Sequence, residues 1–285
     1  MSTKMIQEKL DSYGCKTAIE EEQAIREITQ EIALAALGRT DFFNNAIFHG
    51  GTCLRIFYGL NRFSEDMDFV LRQPNSNFDL KPSLNALILE LEAYGYRIEI
   101  VDRTSSRSAI KKAFLKDNSL GKLIKLHFAG QKGPLRKIQI KFEVDTNPPP
   151  GGAVEQKYLD FPFISSVVTH SPSSLFAGKI HALLCREYLK GRDWYDFLWY
   201  TAQKSPVNFE LLSASLKQIG PWKNENIKVD DIWIKEKLEN KIKSINWHSV
   251  AEDVKRFIKT DELPSLALWS ESLFLNQLNK INVNM

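Results

Sequence analysis

The amino-acid sequence predicts an α/β (α+β) fold: a mixed sheet with flanking helices, followed by a C-terminal helical bundle. Three observations predict it. In residues 136–145, Ile138, Ile140, Phe142 and Val144 alternate with Gln139, Lys141, Glu143 and Asp145. A strand with that pattern has one apolar and one polar face. The run Pro148-Pro149-Pro150-Gly151-Gly152 then breaks a β-rich block. After Ser171-Pro172 the apolar spacing becomes helical and stays so. This change divides the chain into an expected α/β domain at 1–168 and a helical domain at 169–285.

The elements follow in order. A helix is expected over 17–37, where Thr17 and Glu20 have capping-box spacing and apolar residues fall at 25, 28, 32 and 35. The short apolar run 46–48 leads into His49-Gly50-Gly51-Thr52, with a helix expected at 52–58 and a strand at 66–71, DMDFVL. A helix over 79–93 ends before Gly95. Strands are expected at 96–102, 108–115, 122–128 and 136–145, then a short extended segment to about 169. Six helices complete the chain, at 172–189, 192–203, 207–218, 230–244, 247–259 and 264–280. There is no internal repeat.

Composition narrows the function classes. With 285 residues, 43% of them apolar, the chain can bury a sizeable core. No apolar run approaches the roughly 20 residues that span a bilayer. The start, MSTKMIQEKLDSYG, lacks the apolar stretch of a signal peptide, so a cytoplasmic location without membrane contact is expected. Cys15, Cys53 and Cys185 fit no zinc spacing or disulfide framework and read as reduced thiols. The histidines show no metal spacing, and neither a Walker loop nor a nucleophile elbow occurs.

Net charge is only +3, but its distribution is uneven. From Arg103 to Lys141 there are eleven Lys or Arg residues, with Asp117 the one acid. Such a stretch attracts a phosphate backbone. The competing reading is a solvated sheet face with acids from elsewhere packed beside it.

The segment 49–69, HGGTCLRIFYGLNRFSEDMDF, concentrates the chemistry. Gly50 and Gly51 permit a tight turn and close approach to a ligand. Thr52 stands where a helix begins, and a helix start suits a phosphate. Asp66 and Asp68 are two apart on an expected strand, so their carboxylates share a side and repel unless a cation intervenes. Mg²⁺ or Mn²⁺ takes such oxygen ligands together with substrate phosphates. Glu143 or Asp145, on the polar face of 136–145, can supply a third carboxylate. Taken singly, each feature has a plain alternative: an ordinary turn, a solvated strand edge, a polar sheet surface.

In combination these residues resemble the first motif of the DNA polymerase β-type nucleotidyltransferase superfamily. More narrowly, His49-Gly50-Gly51-Thr52 with Leu54-Arg55, then Arg62-Phe63-Ser64-Glu65-Asp66-Met67-Asp68-Phe69, is similar to the AbiEii family. Where the superfamily commonly has Gly-Ser, this chain has Gly-Gly-Thr, as AbiEii-like proteins do. The likeness extends to Lys141-Phe142-Glu143-Val144. It continues in a helix with Lys179, then Arg186, then Gly191-Arg192-Asp193-Trp194-Tyr195-Asp196, similar to the family's lysine and Arg-Asp-x-Tyr-Asp motifs. The matching pieces span 49–198.

The resemblance implies a toxin of a toxin–antitoxin or phage-defence system that transfers a nucleotide from an NTP to an acceptor. RNA, particularly tRNA, is the implied acceptor, and a separate antitoxin the implied restraint. In this reading Asp66 and Asp68 bind metal, with Glu143 or Asp145 beside them, and Glu143 positions the attacking hydroxyl. Gly50, Gly51 and Thr52 hold phosphates. Lys179 neutralises charge on the leaving group, and Asp193 and Asp196 orient Lys179 or the nucleotide. Two rivals stand beside it: a transferase acting on a small hydroxylated acceptor, and a catalytically inactive nucleotide- or RNA-binding module.

Overall fold

The computed structural model describes residues 2–102, 109–117, 126 and 138–281. The chain forms two compact units: Met1–Gly59, Phe63–Pro148 and Gln156–Thr169 make the first, and Leu60–Arg62, Pro149–Glu155 and His170–Met285 the second.

The first unit begins with α1 (Ser2–Ser12) and α2 (Ala18–Gly38). Helix α1 was not expected. Its signal is the pair Ile6 and Leu10, one turn apart and both buried. Thr17 caps α2 by accepting the Glu20 N–H at 3.2 Å, while the Glu20 carboxylate accepts the Lys16 N–H at 2.7 Å. Almost all of α2 is buried, its charged residues included. Burial of charge requires partners, and they are present: Glu27 with Arg55 at 2.8 Å, Glu31 with Lys9 at 2.9 Å.

Next come α3 (Phe42–Asn45), β1 (Ala46–His49), α4 (Gly50–Tyr58), β2 (Asp66–Leu71) and α5 (Lys81–Ala93). Strands β3 (Ile98–Asp102), β4 (Ile110–Asp117), β5 (Ile138–Asp145), β6 (Val154–Leu159) and β7 (Ser165–His170) follow. The extended segment expected before 169 thus resolves into two strands. The expected strand 122–128 lies outside the described residues apart from Leu126.

Among the described residues the sheet has seven strands in the order β3-β4-β5-β2-β1-β7-β6. It is mixed: β2 runs parallel to β5 and β1 parallel to β7, while β1–β2, β3–β4 and β4–β5 are antiparallel. Alternation along β2 and β5 sends Met67, Phe69, Phe142 and Val144 into the core. Phe69 and Phe142 stack there at 4.6 Å. Asp66, Asp68, Lys141 and Glu143 take the other face.

The second unit is helical: α6 (Pro172–Cys185), α7 (Gly191–Ala202), α8 (Phe209–Gln218), α9 (Asp231–Lys243), α10 (Trp247–Val254) and α11 (Glu271–Leu278). Trp194, Phe197 and Tyr200 of α7 are buried, and Trp247 stacks on Phe274 at 3.8 Å. Three expected helices are shorter here. The first stops at Cys185 because Arg186 turns to an extended conformation and bonds to α7. The helix expected at 247–259 gives way to a 3-10 turn at Lys255–Phe257. The one expected at 264–280 is a 3-10 segment, Thr260–Leu268, holding Pro264, then α11 capped by Ser270. Proline removes the N–H that a continuous helix needs. Among the described residues no helix is long and apolar enough to cross a membrane.

Candidate active site

The carboxylate site lies in the first unit, where β1 turns into α4. Gly50 has φ +80°, and a Cβ there would stand 2.6 Å from Asp68 Oδ2. The turn therefore requires glycine, for conformation and for space. Thr52, buried at the start of α4, donates its hydroxyl to the backbone carbonyl of Asp66. That bond ties the start of α4 to β2. Arg55, on the same helix, pairs with Glu27 of α2 at 2.8 Å.

Register decides what faces the aspartates. Across the β2–β5 ladder, Asp66 lies opposite Lys141, Asp68 opposite Glu143, and Val70 opposite Asp145. Glu143 is therefore the carboxylate beside the pair. Asp145 sits two pairs further along, where its Oδ1 accepts the Asn147 N–H at 2.8 Å. Burial raises the Asp145 carboxyl above its ordinary pKa.

Glu143 is gripped by two ammonium groups, Lys141 Nζ on Oε2 at 2.6 Å and Lys112 Nζ on Oε1 at 2.9 Å. Burial alone would raise its pKa, but the hydrogen bonds and charges of both lysines hold it below the usual value. Burial would lower Lys141, yet Glu143, Asp66 and Asp68 together keep it raised.

Among the described residues, no three His, Cys, Asp or Glu side chains are arranged as they would be around a metal ion. The donor types, though not the spacing of the three, suit a hard divalent cation. Asp66 and Asp68 offer oxygen from one face of β2, and Glu143 stands across the ladder.

The basic stretch is only partly described. Arg103, Arg107, Lys122, Lys125, Lys132, Arg136 and Lys137 lie outside the described residues. Lys112, Lys116 and Lys141 share the face of Glu143, whereas Lys111, paired with Val144, takes the opposite face. Among the described residues, the four cations of the stretch are thus divided between the two faces of the sheet.

The second unit holds the other expected residues. Lys179 on α6 donates to Asp193 Oδ1 at 2.6 Å and forms an ion pair with Asp196 Oδ2 at 2.7 Å. Arg186 bonds to the remaining Asp193 oxygen. Arg62 holds Asp196 at two points, Nε to Oδ1 at 2.6 Å and Nη2 to Oδ2 at 2.7 Å. Helical spacing puts Asp193 and Asp196 on one face of α7, and three cations surround them. Burial would raise Asp193, but Lys179 and Arg186 hold its carboxyl down at about 2. Burial opposes the charge on Arg62, but Asp196 outweighs it and raises the guanidinium above its usual value. No role was expected for Arg62. It stands within the 49–69 segment, but its partner is 134 positions away, and no local pattern reveals such a pair.

A mixed sheet that carries two aspartates on one strand, behind a glycine turn opening a helix, is the arrangement of a nucleotidyltransferase domain. A family model described as "Nucleotidyl transferase AbiEii toxin, Type IV TA system" matches residues 32–270. The chain belongs to the AbiEii family, within the nucleotidyltransferase superfamily.

The fold is similar to JHP933 from Helicobacter pylori, with 16% identity, TM-score 0.50, and coverage of 91% of this chain and 94% of that one. A putative nucleotidyltransferase from H. pylori shares 15% identity at TM-score 0.48, covering 91% and 97% of the respective chains. An antigenic nucleotidyltransferase-like protein from Paracoccidioides brasiliensis shares 15% identity at TM-score 0.42, over 83% and 96%. Comparison with curated proteins gave no match.

Proposed function

We propose that the protein transfers a nucleotide from a nucleoside triphosphate to the hydroxyl of an RNA acceptor, tRNA-like in kind, as the toxin of a toxin–antitoxin system. The observation that carries the chemistry is the register of β2 and β5. It sets Glu143 opposite Asp68, on the face where Gly50 lets the backbone approach.

In the proposed reaction the acceptor hydroxyl oxygen bonds to the α-phosphorus. The bond from that phosphorus to the bridging oxygen breaks, and pyrophosphate leaves. Asp66, Asp68 and Glu143 would hold Mg²⁺ or Mn²⁺, which when bound polarises the phosphate oxygens. Gly50, Gly51 and the start of α4 offer backbone N–H groups to phosphate. Glu143 accepts the hydroxyl proton. Asp145, bonded to Asn147, serves at most as an outer partner of that site.

Lys179 is proposed to offset the charge that develops on pyrophosphate. Its two aspartates fix the ammonium in one orientation, so little order remains to be imposed during the reaction.

The family supports an antitoxin partner. The acceptor rests on the basic stretch, and there one observation favours a second reading. Lys112 spends its charge on Glu143, so the stretch attracts a phosphate backbone less than its composition suggests. A small hydroxylated acceptor is that second reading. Incubation with each labelled NTP, Mg²⁺ and total RNA decides between them. Label in RNA supports the proposal, and label in a small molecule alone supports the alternative. Absence of label from every acceptor in extracts of the host would overturn both.

A further inference from the structure

Lys112 and Lys141 had no place in the expected chemistry beyond general basicity, yet their ammonium groups occupy both oxygens of Glu143. The arrangement is specific. Lys112 comes from β4 and pairs in register with Glu143, while Lys141 precedes Glu143 by two residues on the same face of β5. Lys141 also lies opposite Asp66 in the neighbouring ladder. The three strands thus place two monovalent cations on the carboxylate that a divalent cation would share with Asp68.

A carboxylate has about four lone-pair sites, but only two oxygens, and each is already engaged by an ammonium. A divalent ion that takes Glu143 must share an oxygen with an ammonium or displace it, and in either case must approach both of their charges.

We propose that Lys112 and Lys141 are positioning residues that compete with the divalent cation for Glu143, and that the displaced ammonium groups then engage the phosphates of the nucleotide. The inference rests on the metal-dependent reading above. It adds a hand-over: the cation takes the carboxylate, and the lysines take the phosphate oxygens. Metal and nucleotide binding then favour one another, because each removes what opposes the other.

The competition has a distinctive sign. Removing one ammonium near a divalent ion should tighten metal binding, by about tenfold for a unit charge some 6 Å away in a solvated site. The same removal should weaken nucleotide binding. A purely structural lysine would weaken both, since loss of the strand surface would disturb the whole site.

The test uses the full chain and Mn²⁺ as the probe, followed by electron paramagnetic resonance without nucleotide. Lys112→Met and Lys141→Met should bind Mn²⁺ about tenfold more tightly than the natural chain. Lys112→Arg and Lys141→Arg, which keep the charge, should stay within about twofold of it. With Mn²⁺ saturating, the Met variants should bind the α,β-methylene analogues of the four NTPs about three- to tenfold more weakly. Thermal unfolding identifies any variant that fails to fold, and the Arg pair carries the comparison in that case: loss of Mn²⁺ binding with the charge retained overturns the inference.

Unchanged or weaker Mn²⁺ binding in folded Met variants overturns the competition, and unchanged analogue binding overturns the hand-over. If the natural chain binds Mn²⁺ no better than an Asp66→Asn, Asp68→Asn double variant, the metal-dependent reading fails and this inference with it. If that double variant loses Mn²⁺ while the lysine variants match the natural chain, only this inference fails.

Discussion

Arg62 and Asp196 form a buried, two-point ion pair, with bonds of 2.6 and 2.7 Å. Its geometry matches the planar fork of guanidinium to the two oxygens of a carboxylate. Lysine offers a point charge in place of a fork, so Arg62→Lys cannot restore both bonds. Arg62→Met strands part of the Asp196 charge in a buried place. Breaking a buried pair costs about 3–5 kcal/mol. Lys179 still reaches Asp196, so we expect the low end, about 3 kcal/mol, in urea unfolding. A loss under about 1 kcal/mol would show that the pair contributes little to stability.

Gly50 admits no side chain. At φ +80° an alanine is strained, and its Cβ would meet Asp68 Oδ2 at 2.6 Å. The conformational penalty is about 1–2 kcal/mol. Displacement of Asp68 matters more for function, since a shift near 1 Å in a reacting group lowers rate by about a hundredfold. Gly50→Ala should therefore lose far more transfer activity than thermal stability. Activity within about threefold of the natural chain would argue that Asp68 need not sit where β2 places it.

Asp66→Asn and Asp68→Asn should each reduce transfer by at least about a thousandfold, because several kcal/mol of transition-state stabilisation depend on the cation they are proposed to hold. Neither should unfold the protein. Asparagine keeps the shape of each side chain, and both positions lie outside the apolar core. Incorporation of label and melting temperature, measured on the same preparations, check the two halves separately.

Lys179→Ala should lower turnover more than it weakens NTP binding, because its proposed benefit grows as pyrophosphate leaves. Arg at this position should rescue poorly. The ammonium bridges Asp193 and Asp196 from a single nitrogen, which a fork cannot do with the same geometry. Equal effects on turnover and binding would reduce Lys179 to a ground-state contact.

Two buried groups contribute to the response to acid. His170 is held by burial at about 4, below its ordinary 6.5. The unfolded chain takes up that proton first, so this contribution to stability is full above pH 6.5 and declines as pH falls toward 4. Asp193 lies at about 2 against an ordinary 3.8. Its contribution is full above 3.8 and is lost as pH falls through about 2, on the order of 2 kcal/mol in total. Urea unfolding across pH should show both declines. His170→Gln should flatten the upper one and Asp193→Asn the lower.

The sequence by itself determined the fold class, the strand carrying Asp66 and Asp68, the glycine turn before it, and the helix carrying Asp193 and Asp196. These are local matters. Side-chain direction repeats every two residues in a strand and about every 3.6 in a helix, so spacing states which groups share a face. Glycine's tolerance of positive φ is likewise a property of one position. The third carboxylate was open between Glu143 and Asp145, because alternation puts both on one face. Only the β2–β5 register set Glu143 opposite Asp68 and Asp145 opposite Val70. The partners of the charged groups were decided in the same way. Lys112 meets Glu143 through β4, and Arg62 meets Asp196 from 134 positions away. A charge at short range is visible in sequence, but its counter-ion is chosen by which strands and helices pack together. That choice is made by burial of the apolar faces, which carry no record of the polar pairs they bring into contact.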